Sequence, residues 1–224
     1  MTLELDGKRQ YLPVLFSLLK SSPLQEVTIK ESCRIRQVDV PSEVATAMLK
    51  IKLRRNITTL AFTACHPVGS TPISCLGPFS SLEKLEYSTR CLMLGGCVSP
   101  LTDLHIEQLA SGLPKLVTLH LGCNCSYSRP TTAIRFMISL STHCPSLENL
   151  RLPCDLTNIS EDAKAGSGGP DPRLEIQSPC KLRVLAFRWV IMSPPEDPDV
   201  LKLVASVFCH LFPLLESEVR REGR

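Results

Sequence analysis

The sequence predicts an α/β solenoid, in which a parallel sheet forms one layer and helices form the other. Three observations lead to this prediction: an apolar spacing that recurs along the chain, helix-like segments between the recurrences, and a hydrophobic content of 43% in 224 residues. That content is enough for a buried core. Strands that alternate with helical segments favour a parallel sheet, since parallel neighbours need a crossover connection.

The recurring spacing is clearest in "LPKLVTLHLGCN", residues 113–124. Leu119 and Leu121 are two residues apart, as on one face of a strand. Leu116 lies three residues before Leu119, so the chain must bend before the strand begins. The Gly and Asn that follow indicate a turn at its end. This pattern matches the L-x-x-L-x-L-x-x-N consensus of the leucine-rich repeat.

The spacing occurs six times when Ile, Val, Phe and Tyr are accepted as apolar equivalents. The intervals between the first residues of successive units are 33, 25, 34, 31 and 35 residues, which is the range of a solenoid. Only the fourth unit keeps the terminal Asn. The six units are Leu24/Val27/Ile29, Ile57/Leu60/Phe62, Leu82/Leu85/Tyr87, Leu116/Leu119/Leu121, Leu147/Leu150/Leu152 and Leu182/Leu185/Phe187.

Four segments between or after the units predict helices: 42–53, 103–113, 131–143 and 199–212. In 103–113, Thr102 or Asp103 can cap the start. In 131–143, Pro145 blocks continuation. The apolar positions expected on the faces of these two helices are Leu104, Ile106, Leu109 and Leu113 in the first, and Ile134, Phe136, Ile138, Leu140 and Ser141 in the second.

The domain organisation follows from these units. Residues 1–23 are expected to cap the open N-terminal end of the stack, because terminal repeats must be covered. Residues 24–215 form about six irregular repeats, and 216–224 form a polar tail. The stretch "EDAKAGSGGPDP", residues 161–172, is polar and rich in Gly and Pro, which predicts a flexible surface loop.

The composition and the N-terminal sequence indicate which kinds of partner and which cellular compartment to expect. The net charge is +3, and 25 basic residues are mixed with 22 acidic ones, which disfavours nucleic acid and anionic membranes. The polar start "MTLELDGKRQ" does not resemble a secretory leader, and the apolar run 203–215 is too short for a bilayer span. We therefore expect a cytoplasmic or nuclear protein whose eleven cysteines are reduced thiols.

The candidate binding site is the concave side of the predicted sheet. Motif leucines point inward, so the residues between them face outward. Both charge signs occur there, which suits a protein partner better than phosphates. The residues that we expect to bind it are Lys84, Glu86, Thr118, His120, Asn149, Arg151 and Arg188.

Some pairs of residues suggest a metal or catalytic site instead. Three pairs, Cys123/Cys125, His143/Cys144 and Cys209/His210, resemble zinc ligands, but they lie in different units, so we expect no metal. A thiol nucleophile needs a His oriented beside it in space, which adjacency in sequence does not provide. Trp189 alternates with Phe187, which predicts an inward position. We expect that the chain binds no cofactor and is not an enzyme.

The runs "LTDLHIEQLASGLPKLVTLHLG" and "TTAIRFMISLSTHCPSLENLRL" resemble the leucine-rich-repeat region of the large F-box protein family of mushroom-forming fungi. The likeness is carried by a Thr-Asp helix start, a Leu-Pro helix end, a Thr-Thr helix and a His-Cys-Pro turn, and it continues to a Leu-Phe-Pro near the C-terminus. It covers mainly residues 101–213. The resemblance implies recognition of substrates for ubiquitin-dependent degradation.

One departure leaves two hypotheses. The first unit begins at Leu24, so we expect no space for the three-helix F-box that would dock onto a cullin ligase adaptor, although "YLPVLFSLL" echoes its opening. The chain is then either the substrate-recognition module of an F-box protein or a free-standing repeat scaffold or inhibitor unconnected to ubiquitin. An in-frame F-box upstream distinguishes the two.

Overall fold

The structure, a computed structural model, contains a six-stranded parallel sheet whose strand order follows the chain. It describes residues 24–30, 56–64, 76–89, 102–123, 135–154 and 180–190, together with Val14 and Phe212. The elements are β1 (Glu26–Lys30), β2 (Thr59–Ala64), β3 (Lys84–Thr89), α1 (Asp103–Gly112), β4 (Thr118–Cys123), α2 (Arg135–His143), β5 (Asn149–Cys154) and β6 (Val184–Val190).

The sheet brings the predicted units into line. Leu85 pairs with Leu60 and Leu119, and Leu119 pairs in turn with Leu150, so the second apolar position of each unit forms one row across the sheet. The row continues to Val27 and Leu185 at the two edges. The α/β class, the parallel sheet and the positions of all six strands are therefore confirmed.

The core lies on one side of this sheet. The first apolar residue of every unit is fully buried, and the second and third are at most 3% exposed in the first five units. In the sixth unit Leu185 is half-buried, and the side chain of Phe187 is outside the described part. Phe62 and Tyr87, paired across β2 and β3, have ring centroids 5.8 Å apart and add an aromatic contact to the core.

A backbone hydrogen-bond pattern repeats from unit to unit. The carbonyl of Glu83 accepts the N–H groups of Val117 at 2.7 Å and Thr118 at 2.9 Å. The same shared acceptor occurs at the residue after the first apolar position in each of the first five units. Each carbonyl thus joins its unit to the next just before the strand begins. The five acceptors are Gln25, Thr58, Glu83, Val117 and Glu148.

The predicted bend before the strand is also present. The carbonyl of Leu113 accepts the N–H of Leu116 at 3.1 Å, and Phe79 and Cys144 do the same in the neighbouring units. All three of these turn residues are fully buried. Because the turn lies just before the strand, the first apolar residue of the unit does not follow the alternation of the strand, yet its side chain is still buried in the core.

Helix α1 begins after Thr102 as predicted and buries Ile106, Leu109 and Ala110. It ends at Gly112, and Leu113 is a buried cap residue. The prediction for Leu104 is wrong: this side chain is 59% exposed. Two residues along a helix turn through roughly 200°, so Leu104 lies opposite Ile106.

Helix α2 packs against α1 and buries Phe136, Met137, Leu140 and Ser141. The Ser141 hydroxyl donates to the carbonyl of Ile138 at 2.9 Å, which satisfies it inside the core. The remaining predictions lie outside the described residues, apart from the single positions Val14 and the buried Phe212. They are the cap 1–23, the helices 42–53 and 199–212, residues 131–134 of the predicted helix 131–143, the loop 161–172 and the tail 216–224.

The start of α1 uses histidine where a capping box usually has Glu or Gln. The Thr102 N–H donates to Nδ1 of His105 at 3.2 Å, and the Thr102 hydroxyl lies 3.0 Å from the same nitrogen. We expect His105→Ala to lower the free energy of unfolding by about 0.5–1 kcal/mol. His105→Gln should lower it by less, because glutamine can accept the same hydrogen bond. Urea unfolding of both variants measures this, and equal losses would contradict the capping role.

Candidate functional site

The sheet has a second side, opposite the core, which we call the polar face. It carries the alternate strand residues, and the register aligns them in rows. These residues are half-buried or exposed wherever their side chains are described, except Gly122. The described members are Glu26, Thr28, Lys30, Thr59, Ala61, Thr63, Lys84, Glu86, Ser88, Thr118, His120, Gly122, Asn149, Arg151 and Val184.

Six of the seven predicted binding residues lie together at the centre of this face. Lys84, Thr118 and Asn149 form one row across β3, β4 and β5. The next row is Glu86, His120 and Arg151. Neighbouring strands are about 4.8 Å apart, so the six side chains share a surface roughly two strand spacings wide.

Arg188, the seventh predicted residue, lies on β6, beyond a register irregularity between Leu152 and Cys154. Its backbone belongs to the strand, but its side chain and that of Trp189 are outside the described part. The placement of Arg188 on the polar face therefore stays a prediction, and so does the inward position of Trp189.

Charge on the centre of the face is partly compensated within β3. The Lys84 ammonium lies 3.1 Å from a carboxylate oxygen of Glu86, and the two side chains are 44% and 36% exposed. Pairs as exposed as this one contribute at most about 1 kcal/mol to stability. The pair instead limits the net charge that β3 presents to a partner.

His120 lies over Gly122, two residues further along β4. A Cβ atom placed on Gly122 would be 3.5 Å from Nε2 of His120 and 3.8 Å from its Cδ2. Because Gly122 follows Thr118 and His120 at intervals of two, alternation predicts that it too faces outward and is exposed. That prediction is wrong: Gly122 is buried, with the imidazole ring on its open side. The ring thus lies along the strand direction rather than standing away from the sheet.

Val184 is a polar-face residue that was not among the predicted binding residues. It is 52% exposed and pairs in register with Asn149. An apolar residue at an outward position of a strand was the feature in the sequence that could have identified it. It adds an apolar contact beside the hydrogen-bonding groups of Asn149.

The thiols of Cys144 and Cys180 lie in the core and are reduced. The Cys144 Sγ is 3.6 Å from the carbonyl oxygen of Leu113, and the Cys180 Sγ is 3.5 Å from that of Leu147. Burial, with a smaller contribution from Cys180, raises the pKa of Cys144 to about 12. Burial also raises the pKa of Cys180. A thiol that stays protonated is a weak nucleophile, which disfavours catalysis by Cys144.

We expect Cys144 and Cys180 to resist N-ethylmaleimide at pH 7.5 in the native protein, because both thiols are buried and protonated. Peptide mass spectrometry after labelling measures the modified fraction at each site. A sample labelled in denaturant provides the control, in which both sites should react. Rapid modification of Cys144 in the native sample would contradict its burial.

The described part of the chain contains neither a cluster of metal ligands nor a membrane-spanning helix. No three His, Cys, Asp or Glu side chains come together there in an arrangement that could hold a metal ion. None of the helices in those ranges has the length and apolar character needed to cross a bilayer.

The polar face combines several kinds of chemical group on neighbouring strands. Its described residues come from all six strands and combine an ion pair, an imidazole, a guanidinium, an amide and hydroxyl groups. Toward the C-terminal ends of β2 and β3, the Thr63 and Ser88 hydroxyls lie 3.4 Å apart.

The chain matches no family model, and no curated protein matches it.

Proposed function

We propose that the chain is a leucine-rich-repeat solenoid whose polar face is the concave surface and binds a protein. The observation that carries the proposal is the shared carbonyl acceptor that recurs before each strand in the first five units. A hydrogen bond repeated at equivalent positions is what stacked supersecondary units produce. The packing of α1 against α2, which connect consecutive strands, supports a second layer of helices.

The chemistry of the polar face favours a protein as the partner. Its central rows contain a carboxylate, two basic groups, a histidine, an amide and a hydroxyl group within neighbouring strands. Nucleic-acid surfaces need clustered Lys and Arg, and the Lys84–Glu86 pair works against that. Arginine beside mixed polar groups is typical of protein interfaces.

The resemblance to F-box proteins suggests what the binding is for. On that basis the module recognises a protein substrate for ubiquitin-dependent degradation, and a cullin ligase adaptor joins it only if an F-box is present. The alternative is a free-standing scaffold or inhibitor. Both use the same polar face, so the identity of the captured proteins distinguishes them.

An affinity pull-down with the tagged chain tests the proposal. Bound proteins are identified by mass spectrometry and compared with those of a triple variant, Lys84→Glu, His120→Glu and Arg151→Glu. A matched control carries Gln108→Glu, Lys115→Glu and Lys181→Glu, which are exposed residues outside the polar face and change the net charge equally when His is neutral.

We expect the specific partner to be retained by the control and lost from the polar-face variant. Recovery of a cullin ligase adaptor together with it supports the degradation hypothesis. Recovery of the partner alone supports the scaffold. A partner that binds equally well to all three proteins would place the interface elsewhere and contradict the proposal.

A further inference from the structure

We infer that Gly122 sets the specificity of the polar face by positioning the ring of His120. This inference rests on the proposed function, which makes the polar face the binding surface. His120 and Gly122 are consecutive outward positions of β4, and His120 lies in the central row between Glu86 and Arg151. A shift of this one ring therefore changes the middle of the surface that a partner meets.

The ring of His120 lies against the strand at Gly122. A Cβ atom on Gly122 would be 3.5 Å from Nε2 of the ring and 3.8 Å from its Cδ2. Both Gly122 and the Nε2 atom are buried. The ring edge formed by Nε2 and Cδ2 is therefore turned toward the backbone of β4, and a partner meets the rest of the imidazole.

The size of residue 122 determines whether the ring can keep this position. Nonbonded carbon atoms are in optimal contact at about 3.5–4.0 Å, so a Cβ atom at 3.5 Å from the ring just fits. The γ-carbons of a branched side chain lie one bond beyond that Cβ atom and need space that the ring now fills. Glycine or alanine lets the ring lie along the strand, whereas valine is expected to drive it into another rotamer.

The row that contains Gly122 carries short side chains on the neighbouring strands. Ser88 on β3 pairs with Gly122, and Thr63 on β2 pairs with Ser88. The hydroxyl oxygens of Thr63 and Ser88 are 3.4 Å apart. A ring that turned away from the strand would project above this row. We therefore expect the partner to approach the backbone of β3 and β4 closely here, and to be excluded when the ring projects.

Nuclear Overhauser effects in the isotope-labelled whole chain test the position of the ring. The wild-type protein should show an effect between Hδ2 of His120 and the α-protons of Gly122, because Cδ2 lies close to this residue. Gly122→Ala should keep the contact, and Gly122→Val should lose the effect to the α-proton. Valine favours strands, so thermal unfolding should show no loss of stability. A wild-type chain without the effect would overturn the inference, whether or not the variants fold.

Peptides selected from a random phage-displayed library on the wild-type chain serve as probes of binding. Those that bind through the polar face are identified by their loss from the triple polar-face variant. Their affinity should fall about tenfold or more for Gly122→Val, because they were selected on a surface where the ring lies flat along the strand. The conservative variant Gly122→Ala should bind them nearly as tightly as the wild type.

A double-mutant cycle shows whether Gly122 acts through His120. In the His120→Ala background there is no ring to displace, so adding Gly122→Val should change the affinity little. An equal loss with and without the ring would mean that valine itself obstructs the partner, which would overturn the inference. If no peptide still binds His120→Ala measurably, the comparison uses peptides selected on His120→Ala, which should be insensitive to Gly122→Val.

The outcomes separate this inference from the proposed function. Peptides that need the polar face but bind Gly122→Val as tightly as the wild type would overturn the inference and leave the proposed function standing. Peptides insensitive to the triple polar-face variant would overturn the proposed function. A library that gives no binders would count against both.

Discussion

Replacing Leu119 with aspartate is expected to unfold the protein. Leu119 is fully buried on β4, between its register partners Leu85 and Leu150. An aspartate there must either keep its charge in the core or take up a proton, and it also loses the leucine packing. The cost is about 4 kcal/mol or more, a large part of the 5–15 kcal/mol, roughly, that stabilises a typical domain.

Thr118→Asp is the matched control for this prediction. It places the same side chain one residue earlier on the same strand, but on the polar face, where Thr118 is half-buried. Circular dichroism during thermal unfolding should show a normal transition for Thr118→Asp and none, or a strongly lowered one, for Leu119→Asp. The opposite result would mean that the two sides of β4 have been exchanged.

Gly112→Ala is expected to be the second most destabilising change. Gly112 is the last residue of α1, where alanine would ordinarily improve helix formation by about 1 kcal/mol. A Cβ atom there would lie 2.5 Å from both the Cα and the carbonyl oxygen of Gly77. The obstacle is backbone, so it cannot move aside as a side chain would. We expect a net loss of about 2 kcal/mol.

Gly122→Ala is the matched control, because it makes the same substitution at a glycine where a Cβ atom has room. Its Cβ atom would meet the His120 ring at 3.5 Å, which is an ordinary contact. Since glycine weakens strands, alanine should be neutral here or stabilise by about 0.5 kcal/mol. Urea unfolding of both variants measures the difference. Equal effects would show that α1 does not approach the turn at Gly77 closely.

The strands could be predicted because spacing in sequence and position in the sheet are directly related. The interval of two between Leu119 and Leu121 requires a common face, and the interval of three from Leu116 requires a turn, which the Leu113 carbonyl closes. The prediction for Leu104 is wrong because this residue lies about 200° around the helix from the buried Ile106, and hydrophobicity alone does not show that angle. The contact between Gly112 and Gly77 joins segments 35 residues apart, and no local pattern records it.

The positions of the candidate site residues could also be predicted from spacing along the strands, whereas the contacts between their side chains could not. Alternation within each strand identified Lys84, His120 and Arg151 as outward residues, and the register then placed them on neighbouring strands. The Lys84–Glu86 pair and the ring of His120 over Gly122 depend on side-chain rotamers, which alternation does not determine.

The shared carbonyl before each strand has a consequence for how such a chain can change. Because the junction between units is made by backbone atoms, it does not depend on which side chains are present at Gln25, Thr58, Glu83, Val117 or Glu148. The stretches between junctions already differ in length, from 25 to 35 residues per unit. Insertions and deletions in the stretches between junctions, and substitutions at the outward strand positions, can therefore accumulate while the strands stay aligned. The chemistry of the polar face can change in this way without a change of fold.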